Sequence, residues 1–248
     1  MTFDPGAVRL ERVGQGKHIA LFTLDRVHKA NAYTPDMLRC FERHLSSAMA
    51  DPGIRAAVVT GAGSKVFCAG ADIPGLSGRS CEDALDLLSR RVFNQWADAP
   101  WPTIAAIQGP AVAGGLELAL ASDLRICSKD SWFAFPEIDL GLIPAAGGVG
   151  RLARIIGAAR AKEVVLFGKK VDAELACRWG LVSRISDQVL EDVEVIAERL
   201  IRHDPLAVRL AKMVLQTTFG NPTGQASEAM AQALLYKNRL AKGYRHED

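Results

Sequence analysis

The chain has 248 residues, 49% of them hydrophobic and 23% charged, with a formal net charge of +2. That length supports one large domain or a domain with a small appendage. The near-neutral balance gives no general electrostatic reason to bind nucleic acid or an anionic membrane.

The opening residues show no basic start followed by an apolar run. The longest apolar stretches are broken by Gly or charge well short of a membrane span. The five cysteines, Cys40, Cys68, Cys81, Cys127 and Cys177, contain no C-x-x-C pair, which suits a cytoplasmic, reducing setting better than a disulfide framework or a zinc site. The histidines also lack metal-ligand spacing. Cys68 reads as a small half-buried side chain rather than a reactive thiol.

In chain order, 8–11 and 18–24 read as strands joined by a turn at Gly14, Gln15 and Gly16. Thr34 and Pro35 read as an N-cap followed by a first-turn proline. Leu38, Phe41, Leu45 and Ala48 then recur at helical spacing to about residue 50. The short apolar run 56–60 predicts a buried strand ending at Gly61. A helix is expected to carry Leu85, Leu88, Val92 and Trp96, ending before Pro100 and Pro102. Thr103–Ile107 and Leu124–Cys127 read as strands on either side of a helix over 115–121. Beyond Val149 helical signals dominate, at 150–156, 159–167 and 172–179, then at about 189–201, 205–218 and 223–242; a short strand is expected at 181–185. Alternating strands and helices point to an α/β fold, with a core over 1–185 and a helical C-terminal region over 186–248.

Three loops hold candidate chemistry. The first, 61–73, lies directly after a strand and offers Ala69, Gly70 and Ala71, small enough for a ligand to approach the main chain. It has neither a P-loop nor a dinucleotide fingerprint, and a simple tight turn needs the same residues. The second holds Gly114 and Gly115 at a helix start, where unpaired N–H groups can serve an oxyanion or a phosphate; glycine here also permits close helix–strand packing. Glu117 follows in the first turn, as a catalytic carboxylate or as an ordinary helix-start acid. The third sets Glu137 among Phe135, Pro136 and Ile138, where desolvation raises a carboxyl pKa toward acid–base use, a surface ion pair being the alternative.

Together these loops resemble the crotonase family, the enoyl-CoA hydratase/isomerase family. The resemblance is carried by Asp25-Arg26 with Asn31-Ala32, by Cys68-Ala69-Gly70-Ala71-Asp72-Ile73, and by Pro102 through Gly109. It continues through Gly114-Gly115-Leu116-Glu117-Leu118-Ala119, Ser122-Asp123, Phe135-Pro136-Glu137, Gly141-Leu142-Ile143-Pro144 and Gly147-Gly148. It implies a crotonase-like spiral of ββα units with a helical C-terminal region, assembled as a homotrimer or homohexamer. The implied ligand is an acyl-CoA thioester, with coenzyme A as part of the substrate and no separate cofactor.

By position, the N–H groups of Ala71 and Gly114 match the family's oxyanion hole. Glu117 and Glu137 match its pair of catalytic glutamates, Glu117 mainly as base toward water and Glu137 as proton donor to the α-carbon. The resemblance assigns CoA to main-chain groups of 26–32 and 69–73, which include Arg26, Lys29, Ala30, Ala69, Gly70, Asp72 and Ile73, with Gly115 as a further substrate-binding residue. Arg26, His28 and Lys29 are then candidate charges near the phosphates. Where the family often carries Lys after the Ala71-Asp72-Ile73 motif, this chain has Pro74-Gly75. Trp96, Trp101, Trp132 and Phe135 read as core aromatics or, alternatively, as the lining of an acyl pocket.

Overall fold

The computed structural model describes residues 7–72, 87–218, 230–235 and 237. β1 (Ala7–Val13) and β2 (Ile19–Asp25) form an antiparallel hairpin. β3 (Ala56–Gly61), β4 (Thr103–Ile107), β6 (Leu124–Cys127) and β9 (Arg184–Ile185) then add in parallel, giving the order β1-β2-β3-β4-β6-β9. β5 (Ala111–Val112), β7 (Trp132–Ala134) and β8 (Val171–Asp172) form a second, three-stranded sheet. The pairs β4/β5 and β6/β7 each place one strand in either sheet before a helix returns the chain. This is the mixed α/β spiral that the resemblance implies.

The strands β3 and β4 are buried along their whole length, as expected of central parallel strands covered on both faces. Their side chains alternate between two cores. Ala57, Val59, Ala105, Ile107 and Cys127 face the larger one. Ile19, Ala56, Val58, Ile104, Ala106 and Ile126 face the smaller one.

Helix α1 (Pro35–Ala50) lays Met37, Leu38, Phe41, Leu45 and Ala48 on the larger core. The Thr34 hydroxyl caps it by accepting from the Met37 N–H at 3.2 Å, a contact worth about 1 kcal/mol. α2 (Leu88–Ala97) adds Val92, Phe93 and Trp96. Trp96 stands edge-on to Phe22, Phe41 and Trp101 and donates to the Ser122 hydroxyl at 2.9 Å. Trp96, Trp101 and Phe135 are therefore core residues, and Trp132 is half-buried beneath the Lys170 ammonium.

The remaining helices are α3 (Gly114–Leu120), α4 (Gly148–Ile156), α5 (Ala158–Leu166), α6 (Ala173–Arg178), α7 (Val189–Leu200) and α8 (Pro205–Thr218). α7 closes the smaller core with Val189, Val193 and Ala197, so the helical region beyond residue 186 completes the sheet's second face. The segment 137–140, read as loop from the sequence, is a turn of 3-10 helix. The strand expected at 181–185 shortens to Arg184–Ile185, and β5, β7 and β8 were not anticipated. Strands of two or three residues carry too little alternation to be seen in a sequence. Leu85, Ile73 and most of the helix expected at 223–242 lie outside the described residues.

Candidate active site

The first loop is folded against two other segments. Asn31, at φ 54°, accepts from the Arg26 N–H and donates to the carbonyls of Ala62 and Val66 at 3.0 and 2.8 Å. One amide side chain thereby ties 26–31 to the loop after β3. Ala69 donates to the Ala30 carbonyl at 3.1 Å. Tyr33 donates to the Gly70 carbonyl at 2.8 Å and accepts from the Asp72 N–H at 3.0 Å. In this parallel bridge Tyr33 uses its own N–H and C=O, so Ala71, between its two partners, directs its N–H to the opposite side. Among the described residues that N–H donates to no protein acceptor.

On that side runs the second loop. Cys68 bridges Ala111, donating to Pro110 and accepting from Val112. Gly70, at φ +96°, lies so close that a Cβ there would stand 2.9 Å from the Ala113 Cβ and 3.1 Å from the Gly114 nitrogen. Ala113 itself holds φ 52° and ψ −129°, a sparsely populated conformation for a residue with a side chain. It sets the start of α3, whose first N–H groups have no acceptor within the helix. The structure thus brings Ala71 and Gly114 onto neighbouring segments.

The two glycines of this loop are used differently. A Cβ on Gly115 would run into the Cys68 carbonyl, so Gly115 serves close packing. A Cβ on Gly114 would meet the Tyr33 ring. Tyr33 therefore touches both halves of the candidate oxyanion site, its main chain at 70–72 and its ring at Gly114. Sequence reading missed it, because a tyrosine before a helix cap is an ordinary core aromatic until its neighbours are known.

Glu117 is 4% exposed on α3. Its Oε1 accepts from the N–H groups of Ala146 and Gly148 at 2.7 and 2.9 Å. Burial pushes its carboxyl up to about 7, against those two bonds and the nearby Arg151 charge. Glu137 opens the 3-10 turn. Its Oε2 is buried with no hydrogen-bond partner among the described residues. Burial, and then the negative charge of Glu117, hold its carboxyl up at about 7. The two glutamates, 20 positions apart in sequence, thus act on each other electrostatically. A carboxyl pair raised toward neutrality can divide the work, one member protonated as acid and the other ionised as base.

The residues proposed for CoA are divided. The Arg26 guanidinium is 5% exposed and pairs with Asp72 at 2.9 Å, an internal strut rather than a surface charge. Lys29 is exposed on the 3-10 turn Val27–Lys29. Ala30 and Ala69 are half-buried and bonded to each other. Cys68 is wholly buried, and burial pushes its thiol up to about 12, which leaves it inert.

Residues 14–243 match the family described as Enoyl-CoA hydratase/isomerase. The carnitinyl-CoA dehydratase of Salmonella arizonae is 37% identical over 215 residues, covering 86% of this chain and 81% of that protein. The short-chain-enoyl-CoA hydratase of Clostridium acetobutylicum is 32% identical over 212 residues, covering 84% and 80%. The crystal structure of enoyl-CoA hydratase from Bacillus anthracis superposes with a TM-score of 0.86 at 33% identity, covering 91% of this chain and 89% of that one. The crotonase-type fold, the match along nearly the whole chain and these identities lead to one conclusion: the chain belongs to the enoyl-CoA hydratase/isomerase family.

Proposed function

We propose that the protein is a 2-enoyl-CoA hydratase, adding water reversibly across the 2,3-double bond of an enoyl-CoA thioester. The observation that carries this is the pair of carboxyls raised by burial to about 7, Glu117 on α3 one turn beyond Gly114 and Glu137 near enough to feel its charge. The Ala71 and Gly114 N–H groups would hold the thioester oxygen as negative charge develops on it. Both donors to Glu117 meet Oε1, which leaves Oε2 for water. Glu117 would take a proton from that water as its oxygen bonds to C3. Glu137 would deliver its proton to C2 as the double bond is lost. Dehydration runs the same steps backwards.

The acid, the base and the oxyanion donors are all groups of the chain, so the reaction asks for no cofactor beyond the CoA of the substrate. Main-chain groups of Ala30, Ala69, Gly70 and Asp72 would line the pantetheine path, with Lys29 toward the phosphates. The names of two relatives support hydration and dehydration of acyl-CoA. The dehydratase relative, at 37% identity, makes a 3-hydroxyacyl-CoA in the dehydration direction the second reading; isomerisation of 3-enoyl-CoA draws on the same oxyanion site.

No helix among the described residues is long and apolar enough to cross a membrane. Leu140, Ile143 and Phe167 are 58, 65 and 82% exposed, which supports association into the trimer or hexamer expected above. The test is turnover of crotonyl-CoA and longer 2-enoyl-CoAs, followed by loss of the thioester-conjugated absorbance, beside 3-enoyl and 3-hydroxyacyl thioesters. A folded protein that hydrates none of these chain lengths is not a hydratase.

A further inference from the structure

The turn that grips Glu117 is itself held from behind. Gly147, at φ +98°, forms the N-cap of α4, and its neighbours Ala146 and Gly148 supply the two N–H groups that reach Oε1. One turn into α4, Arg151 folds back. Its Nη1 donates to the Ala146 carbonyl at 3.1 Å, the other end of the residue whose N–H binds Glu117. Its Nη2 donates to Asn94 Oδ1 on α2 at 2.6 Å. A Cβ on Gly147 would run into Nη1, so the guanidinium lies directly against the turn. The glycine at 148 is equally constrained, since a Cβ there would stand 2.7 Å from the Glu117 Cγ.

We propose that Arg151 is a positioning residue for Glu117: strung between the Ala146 carbonyl and Asn94, its guanidinium fixes the 146–148 turn that aims the carboxylate. This rests on the reading of Glu117 as the base of the reaction. A guanidinium suits the task because its planar fork makes two directed bonds at once and stays charged.

Among the described residues the charges around it are few. Asp98 at the end of α2 and Glu117 attract Arg151, and Arg154 on its own helix repels it. Glu117 in turn faces Arg151 and Glu137. Behind Arg151, Lys212 is bound to Asp123 at 2.8 Å and Arg125 donates to the Leu181 carbonyl at 2.7 Å, so these neighbours are engaged elsewhere. Arg151 is therefore the cation that favours ionised Glu117. Without it, ionisation moves to higher pH.

The experiment compares Arg151→Met and Arg151→Lys with the native protein. It measures kcat/KM for crotonyl-CoA against pH and, separately, titrates the Glu117 carboxylate by infrared difference spectroscopy, with Glu117→Gln as the blank. In Arg151→Met the carboxylate titration and the acid limb of kcat/KM both move to higher pH. Activity then falls by about tenfold or more below neutrality and by less at pH 9. Arg151→Lys keeps the limb near its native position, while kcat falls because one ammonium replaces a two-armed fork. If Arg151→Met does not fold, Asn94→Ala, which frees one arm and keeps the charge, carries the test: kcat falls while the titration stays near its native position. A folded Arg151→Met in which the Glu117 titration stays in place, or a folded Arg151→Lys or Asn94→Ala with native kcat, overturns the proposal. A titration that moves while the kinetic limb does not would support the positioning role and refute Glu117 as the base.

Discussion

Gly114→Ala is the substitution whose consequence is most directly readable from the structure. Its backbone is not in the left-handed region, so alanine meets no conformational penalty there, only a steric one. The new Cβ would stand 2.8 Å from the Tyr33 Cζ and 2.9 Å from Cε1, and closer still to the hydroxyl oxygen. Ordinary carbon contact begins at about 3.5 Å, so ring and helix start must part by roughly 0.7 Å or more. The ring cannot swing freely, because it stands edge-on to Phe93 at 5.8 Å. The Tyr33 main chain cannot move without Gly70 and Asp72, to which it is bonded. Either response displaces a candidate oxyanion donor, Gly114 directly or Ala71 through Tyr33.

Loss of one such donor costs about 10²–10³ in kcat, or roughly 2.7–4 kcal/mol. Overpacking should also lower stability by about 1–3 kcal/mol. The assay is kcat for crotonyl-CoA hydration together with Tm. Adding Tyr33→Leu to Gly114→Ala opens the space, and should recover at least about tenfold of the lost kcat while leaving Tm below native. If Gly114→Ala keeps kcat within a factor of about 3 of native, Gly114 does not serve the reacting oxygen. If activity is lost and the double variant recovers nothing, the clash with Tyr33 is not the cause.

Glu117→Gln and Glu137→Gln should each lower kcat by about 10²-fold or more while CoA retention on an affinity resin stays intact; near-native kcat in either would remove that residue from the chemistry. The kcat/KM profile should be bell-shaped and centred near pH 7, because one carboxyl must be ionised and its partner protonated; a flat profile from pH 5 to 9 contradicts the pair. Glu137→Gln should also stabilise the fold. A carboxyl raised to about 7 in the folded state takes up protons that the unfolded chain releases, so stability falls as pH rises from about 4.5 to about 7, and the whole cost is present above. Half-burial limits the gain to about 1–2 kcal/mol at pH 8, shrinking toward pH 4.5, and a gain by thermal melting that is independent of pH would contradict the linkage. Arg26→Met should leave Asp72 unpaired and destabilise the protein by about 2–4 kcal/mol, with kcat falling as the 69–72 backbone loosens; unchanged urea unfolding would show the strut to be dispensable.

Much of this molecule was legible in the chain. The α1 helix, the buried strands β3 and β4, and α8 follow from local signals: Thr34 before Pro35, short, mostly apolar runs, and helical spacing up to Thr218. Those signals are short-range, and hydrophobic periodicity reports them faithfully. Candidate chemistry was legible as residue types, with Glu117, Glu137 and the small residues at 69–71 and 114–115 singled out before any coordinates. Their spacing along the sequence could say nothing of their environment.

Tertiary structure decided the rest, because burial and pairing are properties of what surrounds a group. Arg26 looked like a surface cation and is a buried partner of Asp72, since Asp72 arrives from a loop 46 residues away. Gly115, which the sequence left open to a ligand or to close packing, packs on Cys68, while Gly114 lies against Tyr33. Both carboxyls are raised by desolvation, and that of Glu137 also by the charge of Glu117; neither effect exists until α3, the 3-10 turn and α4 meet. The two-residue strands that hold those loops are stabilised almost wholly by bonds to distant segments. The sequence alone determined the longer helices, the central strands and which residues can do acid–base work; only the folded chain decided the short strands, which of those residues share a site, and how strongly each holds its proton.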